Sequence, residues 1–207
     1  MDFPLFARLT GRRCVVIGSG PVGRRKAHAL LQAGAVVRVV SPMTPWSDVA
    51  GPVDWVHAEY QPGHLEEAEL VFAAATPEVN ARVVADGRAA RVWVNSATDP
   101  ETGDFVLPAV STHGQIQVAV STSGASPILA RRIAGMIGEL VDESWVTWVE
   151  LLAEFRPEIR AGVPAPERRN DLLAELCDPK WLGMIESEGL EIAREQMREL
   201  VRQAAEG

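Results

Sequence analysis

Cysteine is nearly absent from this chain: Cys14 and Cys177 stand far apart, with no ligand-spaced partner beside either. That argues against a disulfide framework and against a metal cluster built on closely spaced thiols. His57 and His64 read as surface residues, because no second ligand sits at helical or strand spacing from either. No apolar run approaches the roughly 20 residues needed to cross a bilayer. The N-terminus, Met1-Asp2-Phe3-Pro4-Leu5-Phe6, lacks a basic segment followed by an apolar core, so the chain reads as cytoplasmic, without a leader. Positive charge is also short. Lys and Arg number 20 against 28 Asp and Glu, a net charge of −8, which argues against nucleic-acid binding. An anionic small molecule would have to be met by a local basic cluster. Internal repeats and low-complexity tracts are missing too.

What the chain does have is an apolar strand running into a glycine-rich turn, Cys14-Val15-Val16-Ile17-Gly18-Ser19-Gly20-Pro21-Val22-Gly23. Arg24 to Ala33 follows with helical spacing, Ala27, Leu30 and Leu31 on one side, and Val36-Val37-Arg38-Val39-Val40 is a second apolar strand. Strand, glycine turn, helix and strand together are the context in which G-x-G-x-x-G signals a dinucleotide. Gly18 turns the chain, Gly20 lets a pyrophosphate approach without meeting a Cβ, and Gly23 lets the helix lie close to the strand. The phosphates would then meet the N–H groups and positive dipole end of the helix. A purely structural glycine turn is the alternative.

One part of that fingerprint is missing. An acidic residue is expected at the end of the second strand to bind the adenosine ribose, but Arg38-Val39-Val40-Ser41-Pro42-Met43 holds no carboxylate and none appears before Asp48. Ser41 is the candidate partner of a ribose hydroxyl. Arg38 would suit a 2′-phosphate but lies early in the strand, so these residues lean to NAD rather than NADP. Arg24, Arg25 and Lys26 oppose the helix dipole, either as a solvated face or relieved by a bound anion.

Phe3 to Leu9 is expected as a short segment against the sheet edge, Val53 to His57 as a short strand, and Leu70 to Ala75 as a central strand buried on both faces. Thr76-Pro77-Glu78 opens a helix to Ala90. Thr76 is its N-cap, and from the end of a central strand it faces the nucleotide crevice, which makes it a candidate cofactor contact. Val92-Trp93-Val94 is a fifth strand leading to Asn95-Ser96-Ala97-Thr98-Asp99-Pro100. The alternation then changes. Asp104 to Val110 and Gln115 to Val120 read as a hairpin, marking a boundary near residue 113. Ser121-Thr122-Ser123-Gly124-Ala125-Ser126-Pro127 feeds a helix from Ile128 to Leu140, with Ser126 as N-cap. That loop is a second candidate anion site, or simply a cap. Beyond Glu143 the pattern is helical, interrupted at Arg156-Pro157 and from Gly162 to Pro166. Trp145, Trp148, Leu151, Leu152 and Phe155 form an apolar stripe suited to a core or a dimer contact. Glu167 to Cys177 and Leu190 to Ala205 complete a helical region.

Several of these segments together resemble a known family: F-P-L-F near the start, G-S-G-P-V-G-R-R-K-A, A-A-A-T-P, V-N-S-A-T-D-P…G-D-F-V-L-P-A-V and S-T-S-G-A-S-P-I-L-A-R. The chain resembles the siroheme synthase family in its precorrin-2 dehydrogenase/sirohydrochlorin ferrochelatase module, over essentially its whole length. The resemblance implies an α/β, Rossmann-like doubly wound parallel sheet, then a small α+β dimerisation region and a C-terminal helical domain. The corresponding ranges are 1–113, 114–148 and 149–207, in an intertwined homodimer. It implies NAD as the oxidant, and the family likewise lacks the acidic ribose residue. Multifunctional members carry a methyltransferase domain after this module, and the 207 residues hold none, so the stand-alone form is expected.

Carried over by position, the resemblance implies that Pro21 and Val22, with Pro42 and Met43, contact NAD beside Gly18, Ser19, Gly20 and Gly23. Asn95 and Asp104, with the Ser121, Thr122, Ser123 and Gly124 loop, are the candidate substrate contacts, and Arg131 and Arg132 are candidates for the basic rim that a polycarboxylate substrate needs, or simply an exposed helical face. Members typically carry an aspartate three residues beyond the asparagine, implicated in dehydrogenation and metal insertion, where this chain has Thr98. Asp99 is therefore the candidate base, with Thr98 beside it. The bland reading of Asp99-Pro100 is a turn. The expected activity is NAD-dependent oxidation of precorrin-2 to sirohydrochlorin. One alternative is a bifunctional enzyme that also inserts Fe²⁺ or Co²⁺ as its metal substrate. Another is a non-catalytic nucleotide- or tetrapyrrole-binding module. No resident metal, nucleic-acid or membrane partner is expected.

Overall fold

A computed structural model describes residues 2–49 and 51–206 of the chain. The chain divides into two compact units at Leu107 and Pro108.

In the first unit, β1 (Arg13–Ile17) sends alternate side chains to opposite faces of a sheet, and both faces are covered. Val15 and Ile17 join Val71, Ala73, Val83, Val84 and Val94 in one core, while Cys14 and Val16 join Ala27, Leu30, Val37, Val39 and Phe72 in another. This is why residues 14–17 of β1 and all of β4 (Leu70–Ala73) read as unbroken apolar runs rather than alternating ones, while β2 (Val36–Val40) is interrupted only by Arg38. With β3 (Val53–Val56) and β5 (Trp93–Ser96) they form a five-stranded parallel sheet in the order β3-β2-β1-β4-β5. Cys14 pairs in register with Val37 on one side and Leu70 on the other. Helix α1 (Pro21–Gln32) contributes Ala27 and Leu30 to one core, and α2 (Pro77–Ala90) contributes Val83 and Val84 to the other. The strand order reverses between β1 and β4, and ligands of such sheets bind outside the carboxyl ends of the strands at that point. Burial pushes the Cys14 thiol up to about 11, which suits an inert core residue.

The second unit begins with an antiparallel ribbon, β6 (Ala109–His113) and β7 (Ile116–Val120), followed by α3 (Pro127–Gly138). Helices α4 (Glu143–Gly162), α5 (Pro166–Leu176), α6 (Lys180–Ser187) and α7 (Leu190–Glu206) close on a core of Trp148, Leu151, Phe155, Leu176, Trp181 and Met197.

Three details differ from the sequence reading. The strand expected from Asp104 starts only at Ala109, because Asp104 is hydrogen-bonded to Val94 and Pro108 has no N–H to give a ladder. Helix α4 runs through Pro157 without a break. Its buried stripe, Leu151, Phe155 and Ile159, continues on both sides of the proline, and that packing outweighs one lost backbone bond. Helix α6 is an additional element between Pro179 and Gly189.

Candidate functional site

The glycine turn is fixed by two close approaches and open at a third point. Gly18 has φ +100°, and a Cβ there would stand 2.5 Å from the Ala74 carbonyl oxygen. A Cβ on Gly23 would stand 2.1 Å from the Gly18 oxygen, so glycine is what lets α1 start against the turn. At Gly20 a Cβ would meet nothing within 4 Å. Packing within the chain makes no demand for glycine there, whereas a ligand backbone lying over the turn does. Gly20 is also the N-cap of α1 and makes no side-chain capping bond, and no acidic residue stands in the first turn. The geometry fits a dinucleotide pyrophosphate, which would supply the negative charge that this helix end lacks. Pro21 and Val22 occupy the first two helical positions.

The loop after β2 is tied back onto this turn. Ser41, 2% exposed, shares a 2.8 Å hydrogen bond with the Ser19 hydroxyl and accepts one from the Met43 N–H at 3.1 Å. The Trp46 indole donates to the Ser19 carbonyl at 2.9 Å and meets Trp55 edge-on. Asp48 forms an ion pair with Arg24. Between this loop and α1 lies a cleft of about 660 Å³, lined among others by Ser19, Arg24, Arg25, His28 and Trp46. Arg38 takes no part, since its Nε donates to Asp54 on β3 at 2.7 Å. Pro42 and Met43 are exposed at the strand end. Trp46 and Asp48 were not legible as site residues, because only loop closure brings them to the turn.

On the other side of the switch point the ends of β4 and β5 are joined through Asn80. This residue, 1% exposed in the first turn of α2, accepts from the Ala75 N–H at 2.9 Å and donates to the Ala75 carbonyl at 3.3 Å and the Thr98 hydroxyl at 3.1 Å. Sequence reasoning missed it. The available signal was an amide on the buried stripe of a helix. Thr76 caps α2 through a 3.5 Å bond from Val79 and is exposed.

Thr98 and Asp99 are exposed on the loop after β5. Ser96 Oγ accepts from the Asp99 N–H at 3.2 Å, and Asp99 Oδ1 accepts from the Glu101 N–H at 3.3 Å, starting a short 3-10 turn. A carboxylate has about four acceptor sites, so this capping leaves Asp99 able to take a proton. Asn95 and Asp104 hold the segment in place from beneath. Asn95 is buried and donates to the Phe105 carbonyl at 2.9 Å, while Asp104 accepts from the Val94 N–H at 2.8 Å. Phe105 then meets Phe72 edge-on at 5.5 Å, and the Lys26 ammonium lies 5.2 Å from the centre of the same Phe72 ring. Burial lowers Lys26 to about 8.

In the second unit, the hydroxyls of Ser121, Thr122 and Ser126 accept from the N–H groups of Ser123, Ser126 and Leu129 at 3.0–3.1 Å. Ser123 and Gly124 take positive φ, +49° and +82°. Three of the loop hydroxyls thus build the turn and cap α3, with Arg131 and Arg132 exposed on the helix beyond. Among the described residues no group of three or more His, Cys, Asp or Glu could hold a metal ion, and no helix is long and apolar enough to cross a membrane.

Residues 5–109 match the family described as "Putative NAD(P)-binding", and residues 113–134 match that described as "Sirohaem biosynthesis protein central". The chain is 34% identical over 185 residues to a siroheme synthase of Xylella fastidiosa, covering 86% of this chain and 39% of that protein. It is 30% identical over 203 residues to siroheme synthase 1 of Aeromonas salmonicida, covering 95% and 43%. The chain therefore spans less than half the length of these curated relatives. Among solved structures, "SirC, precorrin-2 dehydrogenase" has the same fold, with a TM-score of 0.75 at 23% identity over 96% of this chain and 100% of that one.

Proposed function

The chain belongs to the NAD(P)-binding family of the siroheme synthases, and on that footing we propose that it oxidises precorrin-2 to sirohydrochlorin with NAD. The observation that carries this reading is continuity across the switch point. Gly18 abuts Ala74, Ala75 is held by Asn80, and Asn80 holds Thr98, next to Asp99. A dinucleotide over the glycine turn and a substrate at the β5 loop would thus be neighbours.

NAD, when bound, supplies the hydride acceptor. The chain supplies position and one base. The turn and the uncapped start of α1 hold the pyrophosphate, Ser41 and Ser19 offer hydroxyls to a ribose, and Thr76 stands at the rim. Asp99 takes the proton that the macrocycle loses, with the Thr98 hydroxyl held beside it. A well-placed base accelerates such a step by roughly 10²- to 10⁴-fold. In the second unit taken by itself, the exposed Arg131 and Arg132, with the Ser121 to Gly124 loop, are proposed as a surface for carboxylates. Asn95 and Asp104 act by holding the loop.

Metal insertion is outside this proposal, because Thr98 stands where the family's aspartate is expected. We further propose a homodimer, since α3 and the ribbon leave Val110, Ile128, Leu129, Met136 and Leu140 exposed, and a second copy would cover them. We assign the reaction to the cytoplasm, in keeping with two free cysteines. Mixing the protein anaerobically with precorrin-2 and NAD should produce NADH absorbance and the sirohydrochlorin spectrum together. Neither change appearing would refute the assignment.

A further inference from the structure

The loop after β2 lacks a carboxylate at the strand end but carries Asp48 further along, folded back onto the first turn of α1. We propose that the Arg24–Asp48 pair is the cofactor-specificity element of this protein: Asp48 holds Arg24 away from an incoming ligand and so excludes the 2′-phosphate of NADP. The inference rests on the dinucleotide reading of the glycine turn and deepens it.

The hydroxyls at the end of β2 suit a neutral partner. A serine offers one donor and two acceptor positions. Ser41 uses one acceptor for the Met43 N–H and another position for Ser19, so a single hydrogen-bonding position is left on a side chain that is itself buried. A phosphate monoester instead brings a charge of about −1.5 to −2 and three acceptor oxygens, and needs cations. The cations nearby are mostly engaged. Arg38 is bound to Asp54 and Lys26 lies over Phe72, while Arg24 is paired with Asp48. Arg24, Arg25 and His28 line the cleft that begins at Ser19. A 2′-phosphate entering there must compete with Asp48 for Arg24. Without Asp48, Arg24 would join Arg25 and His28 as a basic wall of the same cleft. The usual acidic residue at the strand end excludes the phosphate directly, and here Asp48 does so by occupying the arginine.

The test is calorimetric titration of the purified full chain with NAD and with NADP, read as the ratio of the two Kd values. Asp48→Asn and Asp48→Ala should each lower Kd(NADP)/Kd(NAD) by about tenfold, an effect that weakens with added salt. In Arg24→Ala/Asp48→Ala the fall should vanish. Should the variants bind NAD and keep the ratio within about twofold of wild type, the proposal is overturned. It is equally overturned if the fall survives loss of Arg24. Wild-type protein that binds neither dinucleotide would remove the reading beneath the proposal, a result distinct from an unchanged ratio.

Discussion

The side-chain amide of Asn80 donates to the hydroxyl of Thr98 at 3.1 Å, while its oxygen holds the Ala75 N–H. One buried residue on α2 thus couples the loop after β4 to the loop after β5. Asn80→Leu keeps the branching of the side chain, though not its smaller volume, and removes every one of these bonds, leaving the half-buried Ala75 N–H without its partner. It should destabilise the first unit by roughly 2 kcal/mol, read by urea unfolding, and lower kcat more than the stability loss alone explains. A kcat unchanged under conditions where the variant is fully folded would show that Thr98 needs no such brace.

Asp99→Asn retains an oxygen for the Glu101 N–H but cannot accept a proton. Precorrin-2 oxidation should slow by about 10²-fold or more, measured anaerobically as NADH formation. A loss smaller than about threefold would assign the proton to solvent or to another group.

Thr98→Asp restores the carboxylate expected at this position from the family. Siroheme formation from sirohydrochlorin and Fe²⁺ should then exceed the wild-type rate, followed by the change in the visible spectrum. Equal rates would mean that this position does not limit metal insertion.

Lys26 is held near 8 by burial, below the usual lysine value of 10.5. Between these values the unfolded chain binds more protons than the folded one, so this lysine makes stability rise with pH across that window. Lys26→Met should therefore stabilise the protein by about 2 kcal/mol at pH 7, and the difference from wild type should shrink above pH 10. Taking the difference removes the opposing contributions of Cys14 and Tyr60, both raised by burial. A gain of the same size at both pH values would locate its origin in packing instead.

Ile128 and Leu140 are among the most exposed apolar residues of the second unit. Ile128→Glu, by placing a charge on that face, should convert a dimer to monomer in light scattering at micromolar concentration. A wild-type chain that is already monomeric would remove the dimer proposal.

The parts of this molecule that were legible beforehand are those whose partners lie close along the chain. The strand at Cys14–Ile17, its glycine turn and α1 announce themselves by pattern, and Thr76 and Ser126 cap helices that open with Pro77 and Pro127. Contacts closed through space were not legible. Asn80 meets Thr98 across two strands, and Asp48 reaches Arg24 only after its loop folds back. Asp104 reads as the start of a strand until its carboxylate is seen on Val94. Pro157 misleads because a local rule meets a stronger tertiary one: Phe155 and Ile159 are packed on both sides of it.

The Phe72 ring carries a consequence of its own. The same phenyl group faces the Lys26 ammonium and the edge of Phe105, so any rearrangement of the 95–105 segment alters the surface on which that charge rests. The burial that lowers this lysine on α1 is then linked to the packing of the loop after β5, and whatever favours one protonation state there must bias that loop in return.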